Sequence, residues 1–179
     1  PPAPARRSVV KMEGAQSPLS RDELNDLIDY GNERMNSSAC SLNPFRREVR
    51  VSALTDEKVL LMTSCDAGAY NTIWLAWLVS RQRPYIAHPV RLTLPFQPPG
   101  DAPRDVELVN ASYDDRHQEL VTLDKGRAPG DCGIQTRWRY DGQRFSLVRY
   151  AQQPQCDNWQ GPDAWPTLWV TRSVAHPLR

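Results

Sequence analysis

Four cysteines are the residues with the clearest chemical potential, and they fall in two pairs along the chain. Each pair is about 25 residues apart, and no C-x-x-C pair or histidine at zinc-ligand spacing accompanies them. Three disulfide pairings are compatible with four cysteines, and the short loops favour Cys40 with Cys65 and Cys132 with Cys156. The alternative is four free thiols in a cytosolic protein. Because disulfides persist in oxidising compartments, the pattern predicts a periplasmic or secreted protein without a metal or another cofactor.

Three arginines around a predicted hairpin are the first candidate binding residues. The pair Asp141-Gly142 between two strand-like segments favours a two-residue type I′ turn, whose register would place Arg139 directly opposite Arg144. Arg137 would share their face, because side chains alternate along a strand. The opposite face would then carry the core residues Trp138, Phe145 and Leu147. Opposed like charges are destabilising, so this face is predicted either to bind an anionic partner or to be neutralised by carboxylates of an adjacent strand.

Two glycine-containing loops supply the other candidates. One carries Asp66 and Asn71, and the other carries Arg127 and Asp131. Backbone amides of the second loop can form an anion-binding concavity, and Asp66 with Asp131 is a candidate carboxylate pair for glycan hydrolysis. Glycine and Asx residues also favour simple turns, so a structural role is the alternative in both loops.

Other catalytic arrangements have little support in the sequence. The chain contains no G-x-S-x-G elbow, and its three histidines, His88, His117 and His176, are scattered. An envelope hydrolase that uses Asp66, Asp131 or His88 is therefore the alternative to a binding domain.

Composition excludes several other classes of function. The net charge is only +1 and charged residues make up 24% of the chain, which argues against nucleic-acid binding and polybasic membrane binding. The longest apolar stretch, residues 73–79, is far shorter than the roughly 20 residues of a membrane-spanning helix.

The elements that must position these residues are mostly strands. Residues 1–18 are rich in proline and predict an extended tail, and residues 19–175 predict a single domain. Ser20 and Glu23 predict a capping box that begins a helix over residues 21–35. Strands are predicted at residues 48–53, 59–63, 72–79, 90–94, 107–112, 119–123, 134–140, 144–150 and 168–171, with a turn at 113–116. The predicted class is α+β, mostly antiparallel β, with one N-terminal helix packed on a sheet that curls into a barrel or sandwich.

A family resemblance emerges from these segments taken together. Residues 65–71 and 125–133 are followed by Trp138, Asp141-Gly142, Phe145, Leu147 and Cys156. The series resembles the C-terminal half of the bacterial domain-of-unknown-function family 1176, a group of envelope proteins from Gram-negative bacteria, from about Cys40 to Thr171. The resemblance implies a periplasmic location and paired cysteines. It assigns no catalytic role to any residue, because the family has no assigned activity. Typical members carry a further N-terminal half, of which only the proline-rich joint remains here.

The predicted function is that of a non-catalytic periplasmic domain that recognises a protein or an anionic envelope component. Its most concrete form is an inhibitor or immunity protein against a cell-wall-degrading enzyme, by analogy with other small β-rich periplasmic proteins. A protein partner is expected and a nucleic acid is not, and the sequence leaves the oligomeric state open.

Overall fold

The structure, a computed structural model, describes residues 18–156 and 160–171. These residues form one α-helix, α1 (Arg21–Asn36), nine β-strands and two short 3-10 helices, Pro44–Arg46 and Pro162–Ala164. The strands are β1 (Val49–Ala53), β2 (Lys58–Ala67), β3 (Thr72–Ser80), β4 (Ala87–Pro89), β5 (Ser112–Asp114), β6 (Glu119–Lys125), β7 (Gly133–Tyr140), β8 (Phe145–Gln153) and β9 (Thr167–Val170). Strands β1 to β4 form the first sheet and β5 to β9 form the second sheet, both antiparallel and in sequential order.

The predicted N-terminal helix is confirmed. Ser20 is its N-cap, and its Oγ accepts a hydrogen bond from the Glu23 N–H at 3.1 Å. The Glu23 carboxylate accepts a hydrogen bond from Arg81 Nη2 at 3.0 Å, which ties the start of α1 to the end of the first sheet. Leu27 is fully buried and packs α1 onto that sheet.

The first sheet is buried on both faces, which explains the long apolar runs of β2 and β3. Leu60 and Met62 belong to the core between the sheets, whereas the alternate residues Val59 and Leu61 pack under α1. Side chains on a strand alternate between its faces, so a sheet covered on both sides needs apolar residues at consecutive positions.

The main core lies between the two sheets. The second sheet contributes Leu120, Trp138, Tyr140, Phe145, Leu147, Tyr150 and Trp169, and the first sheet contributes Leu60, Met62, Trp74 and Ala76. The core positions predicted for Trp138, Phe145 and Leu147 are confirmed. The predicted class is confirmed in its sandwich form, with α1 as a third layer on the outside of the first sheet.

The register of the β7–β8 hairpin differs from the predicted one. Arg139 pairs with Ser146, and the loop comprises the four residues 141–144 instead of two. The predicted opposition of Arg139 and Arg144 is therefore wrong, because Arg144 belongs to the loop.

The side chain of Asp141 explains the longer loop. Its Oδ1 accepts hydrogen bonds from the N–H groups of Gln143 at 2.9 Å and Arg144 at 3.0 Å. Gly142 has a φ of 102°, but Asp141 does not adopt the positive φ that a type I′ turn also requires at this position. An aspartate that bonds the backbone beyond itself stabilises a wider turn.

The turn between β5 and β6 lies two residues beyond its predicted position. Asp114 pairs with Glu119, so the turn comprises residues 115–118 rather than 113–116. Gln118 adopts a φ of 55°, a left-handed conformation that closes this turn.

Two predicted strands are largely irregular. The segment 90–94 follows β4 and forms only an isolated bridge, between Thr93 and Asp105. The segment 107–112 contributes only its last residue to β5. Asn110 has a φ of 45°, which interrupts an extended backbone just before that strand.

Both predicted disulfides are confirmed. Cys40–Cys65 joins the segment after α1 to β2, and Cys132–Cys156 joins the start of β7 to the segment after β8. The predicted tail, except Pro18, and His176 lie outside the described residues. Within the described ranges, no helix is long and apolar enough to cross a bilayer.

Candidate functional site

The predicted arginine face lies on the outer surface of the second sheet, where carboxylates already neutralise it. Glu119 stands directly opposite Arg139 and accepts a hydrogen bond from its Nη2 at 2.8 Å. The same carboxylate lies 3.3 Å from Arg137 Nη1, and Arg137 also contacts Asp114 and Asp163, each at 3.2 Å. The side chain of Glu119 is only 8% exposed, so these pairs form in a partly desolvated layer.

Arg149 completes this face, although it was not among the predicted residues. It stands directly opposite Arg137, so two like charges do meet in this hairpin, but at a different pair from the predicted one. Its Nη1 donates to Gln135 Oε1 at 2.5 Å, and its two Nη atoms donate to three backbone carbonyls in residues 162–165. Burial, together with the charge of Arg137, lowers the pKa of Arg149. Arg149 therefore holds the second 3-10 helix against the sheet.

Asp114 lies at the edge of this group of charges, which we call the outer-face network: Arg137, Arg139, Arg149, Asp114, Glu119 and Asp163. Although burial opposes the shift, hydrogen bonds from His117 and Arg137 lower the pKa of the Asp114 carboxyl to about 2. His117 Nδ1 lies 2.7 Å from Asp114 Oδ2. The network contains three arginines and three carboxylates, so its charges balance. This geometry corresponds to neutralisation by an adjacent strand, the second of the two predicted possibilities for the arginine face.

Each of the two candidate carboxylates stabilises an irregular segment, Asp66 from the end of β2 and Asp131 from the β6–β7 loop. Asp66 Oδ1 accepts a hydrogen bond from the Ser41 N–H at 2.8 Å, and hydrogen bonding by the side chain and the backbone of Ser41 lowers the pKa of the Asp66 carboxyl. Asp131 Oδ1 accepts from Arg127 Nε at 2.7 Å, and the bond lowers the pKa of the Asp131 carboxyl. Arg127 Nη2 also donates to the backbone carbonyl of Cys156, next to the disulfide. These contacts are those of loop-stabilising residues, the alternative to the catalytic hypothesis.

Asn71 connects the two sheets rather than facing a ligand. Its Oδ1 accepts hydrogen bonds from Asn110 Nδ2 at 2.7 Å and from the Lys125 N–H at 3.1 Å, and its Nδ2 donates to the Lys125 carbonyl at 3.0 Å. Asn110 Nδ2 also donates to the carbonyl of Leu123 at 2.8 Å. Asn110 was not predicted, because nothing in the sequence indicates that it meets Asn71 from a position 39 residues away.

A cleft opens at the end of the sandwich, between the segment that follows β4 and the β7–β8 loop. Its volume is about 470 Å³, within the range of pockets that bind small molecules. Four basic residues line it: His88, Arg91, Arg104 and Arg144. None of the described residues that line it is acidic. We refer to it as the cationic cleft.

The three arginines of the cationic cleft differ from those of the outer-face network because they have no carboxylate partner. All three are exposed, and none of them forms an ion pair with the described part of the chain. Arg104 donates from Nε and Nη2 to the carbonyl of Leu94, at 3.1 and 2.9 Å, which fixes its guanidinium on one wall. A concave surface that carries charges of one sign concentrates counter-ions.

Of the predicted binding residues, only Arg144 lies in this cleft. It arrives there because the β7–β8 loop is wider than predicted, which carries Arg144 off the sheet. Arg91 and Arg104 were not predicted. Arg91 alternates with apolar residues in the segment 90–94, which indicated an exposed position but not which part of the fold it would face.

Guanidinium groups that no carboxylate neutralises suit the binding of phosphate and carboxylate, because they donate paired hydrogen bonds in a fixed geometry. Across residues 18–156 and 160–171, no three His, Cys, Asp or Glu side chains are grouped so that they could hold a metal ion. The cationic cleft is therefore the feature of the described structure with the clearest capacity to bind a ligand.

Comparisons with known proteins agree with the resemblance found in the sequence. The model of the family described as "Protein of unknown function (DUF1176)" matches residues 1–172. The chain is 62% identical over 172 residues to "Uncharacterized protein YpfG" of Escherichia coli (strain K12), and the match covers 96% of the chain and 49% of that relative. The chain thus spans about half the length of this curated relative, and no solved structure matches it. The chain belongs to the DUF1176 family.

Proposed function

We propose that this chain is a non-catalytic binding domain of the bacterial periplasm that holds an anionic group in the cationic cleft. One observation carries the proposal: Arg91, Arg104 and Arg144 line one concave surface, and among the residues that the structure describes no carboxylate pairs with any of them. A ligand that brings its own negative charge would satisfy all three. The two disulfides favour a periplasmic address, because such bonds persist in oxidising compartments.

The cationic cleft is a better candidate than the outer-face network for an energetic reason. An anion that bound to Arg137 or Arg139 would have to displace Glu119, which already contacts both. Breaking a partly buried ion pair costs several kcal/mol before any new contact forms. The cleft arginines require no such exchange, so an anion that binds there displaces water rather than a carboxylate.

Calorimetric titration with inorganic pyrophosphate tests the proposal. We expect saturable binding to the wild type, and a Kd at least about tenfold higher for Arg91→Gln with Arg144→Gln, because each charge-assisted hydrogen bond is worth about 1.5–3 kcal/mol. Arg116→Gln is the matched control, since Arg116 is an exposed arginine in the β5–β6 turn. Unchanged affinity in the double variant, or an equal loss in Arg116→Gln, would contradict the proposal.

The inhibitor or immunity function is a second candidate, and one observation favours it. Phe45 is 98% exposed at the tip of a loop that begins at the Cys40–Cys65 disulfide. Arg47 donates from Nε to the carbonyl of Leu42 at 2.7 Å, which holds the base of this loop. An exposed aromatic side chain is a typical anchor in protein interfaces, because it buries a large apolar area when it enters a pocket of the partner.

Inhibition of lysozyme on purified peptidoglycan tests this second candidate. We expect the wild type to slow clearing of the suspension, Phe45→Ala to lose at least about tenfold in potency, and Ile86→Ala to remain active. Ile86 is another exposed apolar residue, 55% accessible, and serves as the control. Absence of inhibition by the wild type would count against an inhibitor of this enzyme. If the protein clears peptidoglycan by itself, and Asp131→Asn abolishes the clearing, the hydrolase alternative replaces the binding function.

A further inference from the structure

We infer that the anion held in the cationic cleft carries an apolar chain, so that the ligand is an amphiphile with a phosphate or carboxylate head. This inference rests on the proposed function and names the class of its ligand. The inference depends on the apolar residues inside the cleft, whereas the proposed function depends on the arginines around its opening.

The interior of the cleft is apolar and comes from both sheets. Leu78 and Val90 lie on the side of the first sheet and are half-buried, so part of each side chain remains available for contact. Phe145 and Leu147 line it from the start of β8, and Trp169 lines it from β9. A site with charged groups around its opening and hydrocarbon beneath them matches a molecule with the same division.

The relative positions of the basic opening and the apolar interior determine how a bound ligand would be oriented. Leu78 pairs with His88 across β3 and β4, so the apolar interior begins directly beside the basic opening. Arg144 lies in the loop that immediately precedes Phe145, which repeats this arrangement on the opposite wall. An anionic head between the arginines would therefore place an attached chain against the interior.

The walls of the cleft are held in place by the fold. The Val90 N–H donates to the carbonyl of Ala76 at 2.9 Å, which fixes the backbone of one wall. Trp169 stacks on Phe96, with ring centroids 5.4 Å apart and an interplanar angle of 19°. A pre-formed apolar wall does not need to reorganise when a ligand binds, so contact with hydrocarbon translates directly into affinity.

A series of alkyl phosphates tests the inference without any substitution. Methyl, butyl, hexyl and octyl phosphate, each below its micelle-forming concentration, are titrated into the protein by calorimetry. Burial of a methylene group strengthens binding about fourfold at most, so we expect Kd to fall about twofold to fourfold per methylene. The fall should level off when the chain outgrows a cleft of about 470 Å³.

A matched pair of variants locates the chain in the cleft. Val90→Ser should reduce the dependence of Kd on the length of the alkyl chain, because it removes apolar contact inside the cleft while the Val90 N–H still donates to the carbonyl of Ala76. Val170→Ser makes the same substitution on β9 at a position outside the cleft, and it should behave like the wild type. If both variants reduce the dependence of Kd on alkyl-chain length, the alkyl chain of the ligand does not lie in the cleft, and the inference is overturned.

The outcomes separate the inference from the proposed function. If all the alkyl phosphates bind with the same Kd as methyl phosphate, the inference is wrong while the proposed function stands. If neither pyrophosphate nor any alkyl phosphate binds, both are wrong. Sedimentation with vesicles that contain phosphatidic acid distinguishes the sources of the ligand. Pelleting that requires Arg91 and Arg144 assigns a bilayer lipid, binding of hexyl phosphate without pelleting assigns a free amphiphile, and both results support the inference.

Discussion

Replacement of all four cysteines by serine is expected to lower the free energy of unfolding by about 6 kcal/mol, or about 3 kcal/mol for each disulfide. The bonds close loops with sequence separations of 25 and 24 residues. In the loop-entropy model, each bond restricts the unfolded chain and so makes unfolding less favourable. Because domains are stable by only roughly 5–15 kcal/mol in total, the quadruple variant should be largely unfolded near body temperature.

The position of each disulfide in the fold strengthens this expectation. Cys65 is 3% exposed and Cys132 is 2% exposed, so replacement by serine also places a hydroxyl in an apolar environment. A Cβ atom at Gly126 would lie 2.8 Å from the Cys132 Sγ, which means that the backbone packs closely around this bond.

Chemical denaturation of the wild type, each double variant and the quadruple variant measures these effects. The wild type in reductant should unfold like the quadruple variant, and reductant should not affect the quadruple variant itself. Thiol titration of denatured wild-type protein, purified without reductant, should find no free thiol among the four cysteines. Four free thiols, or a quadruple variant as stable as the wild type, would contradict stabilisation of the fold by two disulfides.

Glu119→Gln is expected to lower the free energy of unfolding by about 2–4 kcal/mol. The substitution keeps the shape of the side chain and removes the charge that faces both Arg137 and Arg139. Asp163, one of the two remaining carboxylates of the outer-face network, is 84% exposed and therefore screened by water. Three arginines would then share one partly buried surface without adequate compensation.

Glu48→Gln is the matched control for this prediction. Glu48 pairs with Arg50 at 3.0 Å on an exposed surface, where an ion pair contributes less than about 1 kcal/mol. The same chemical change should therefore have a clearly smaller effect at Glu48. Equal losses in thermal or chemical denaturation would mean that the outer-face network behaves as an ordinary surface ion pair.

The sequence was sufficient to predict features that depend on local patterns. The helix N-cap at Ser20 and the choice of disulfide partners each depend on residues close together in the chain, and both are confirmed. The apolar runs of β2 and β3 indicated buried strands for the same reason. Their burial on both faces, by α1 and by the second sheet, became clear only from the tertiary structure.

The candidate sites were harder to predict, because register decides which side chains meet. Asp141 bonds the backbone of its own loop and makes that loop two residues longer than a type I′ turn. The longer loop separated Arg139 from Arg144 and moved Arg144 into the cationic cleft, and a shift in register between Arg137 and Trp138 placed Arg137 opposite Arg149. Arg91 and Arg104 reach the same cleft from a distant part of the sequence, a proximity that no local pattern encodes.

Heteronuclear NMR during a titration with pyrophosphate tests the central claim most directly. If the cationic cleft binds anions, the largest shifts will come from the backbone amides of Arg91, Arg104 and Arg144 and from the Nε–H groups of Arg91 and Arg144, because Arg104 Nε already donates to the Leu94 carbonyl. The signals of Arg137 and Arg139 should stay in place, because an anion would have to displace Glu119, which already pairs with both. Shifts centred on Arg137 and Arg139, or no shifts at saturating pyrophosphate, would contradict the binding of anions in the cationic cleft.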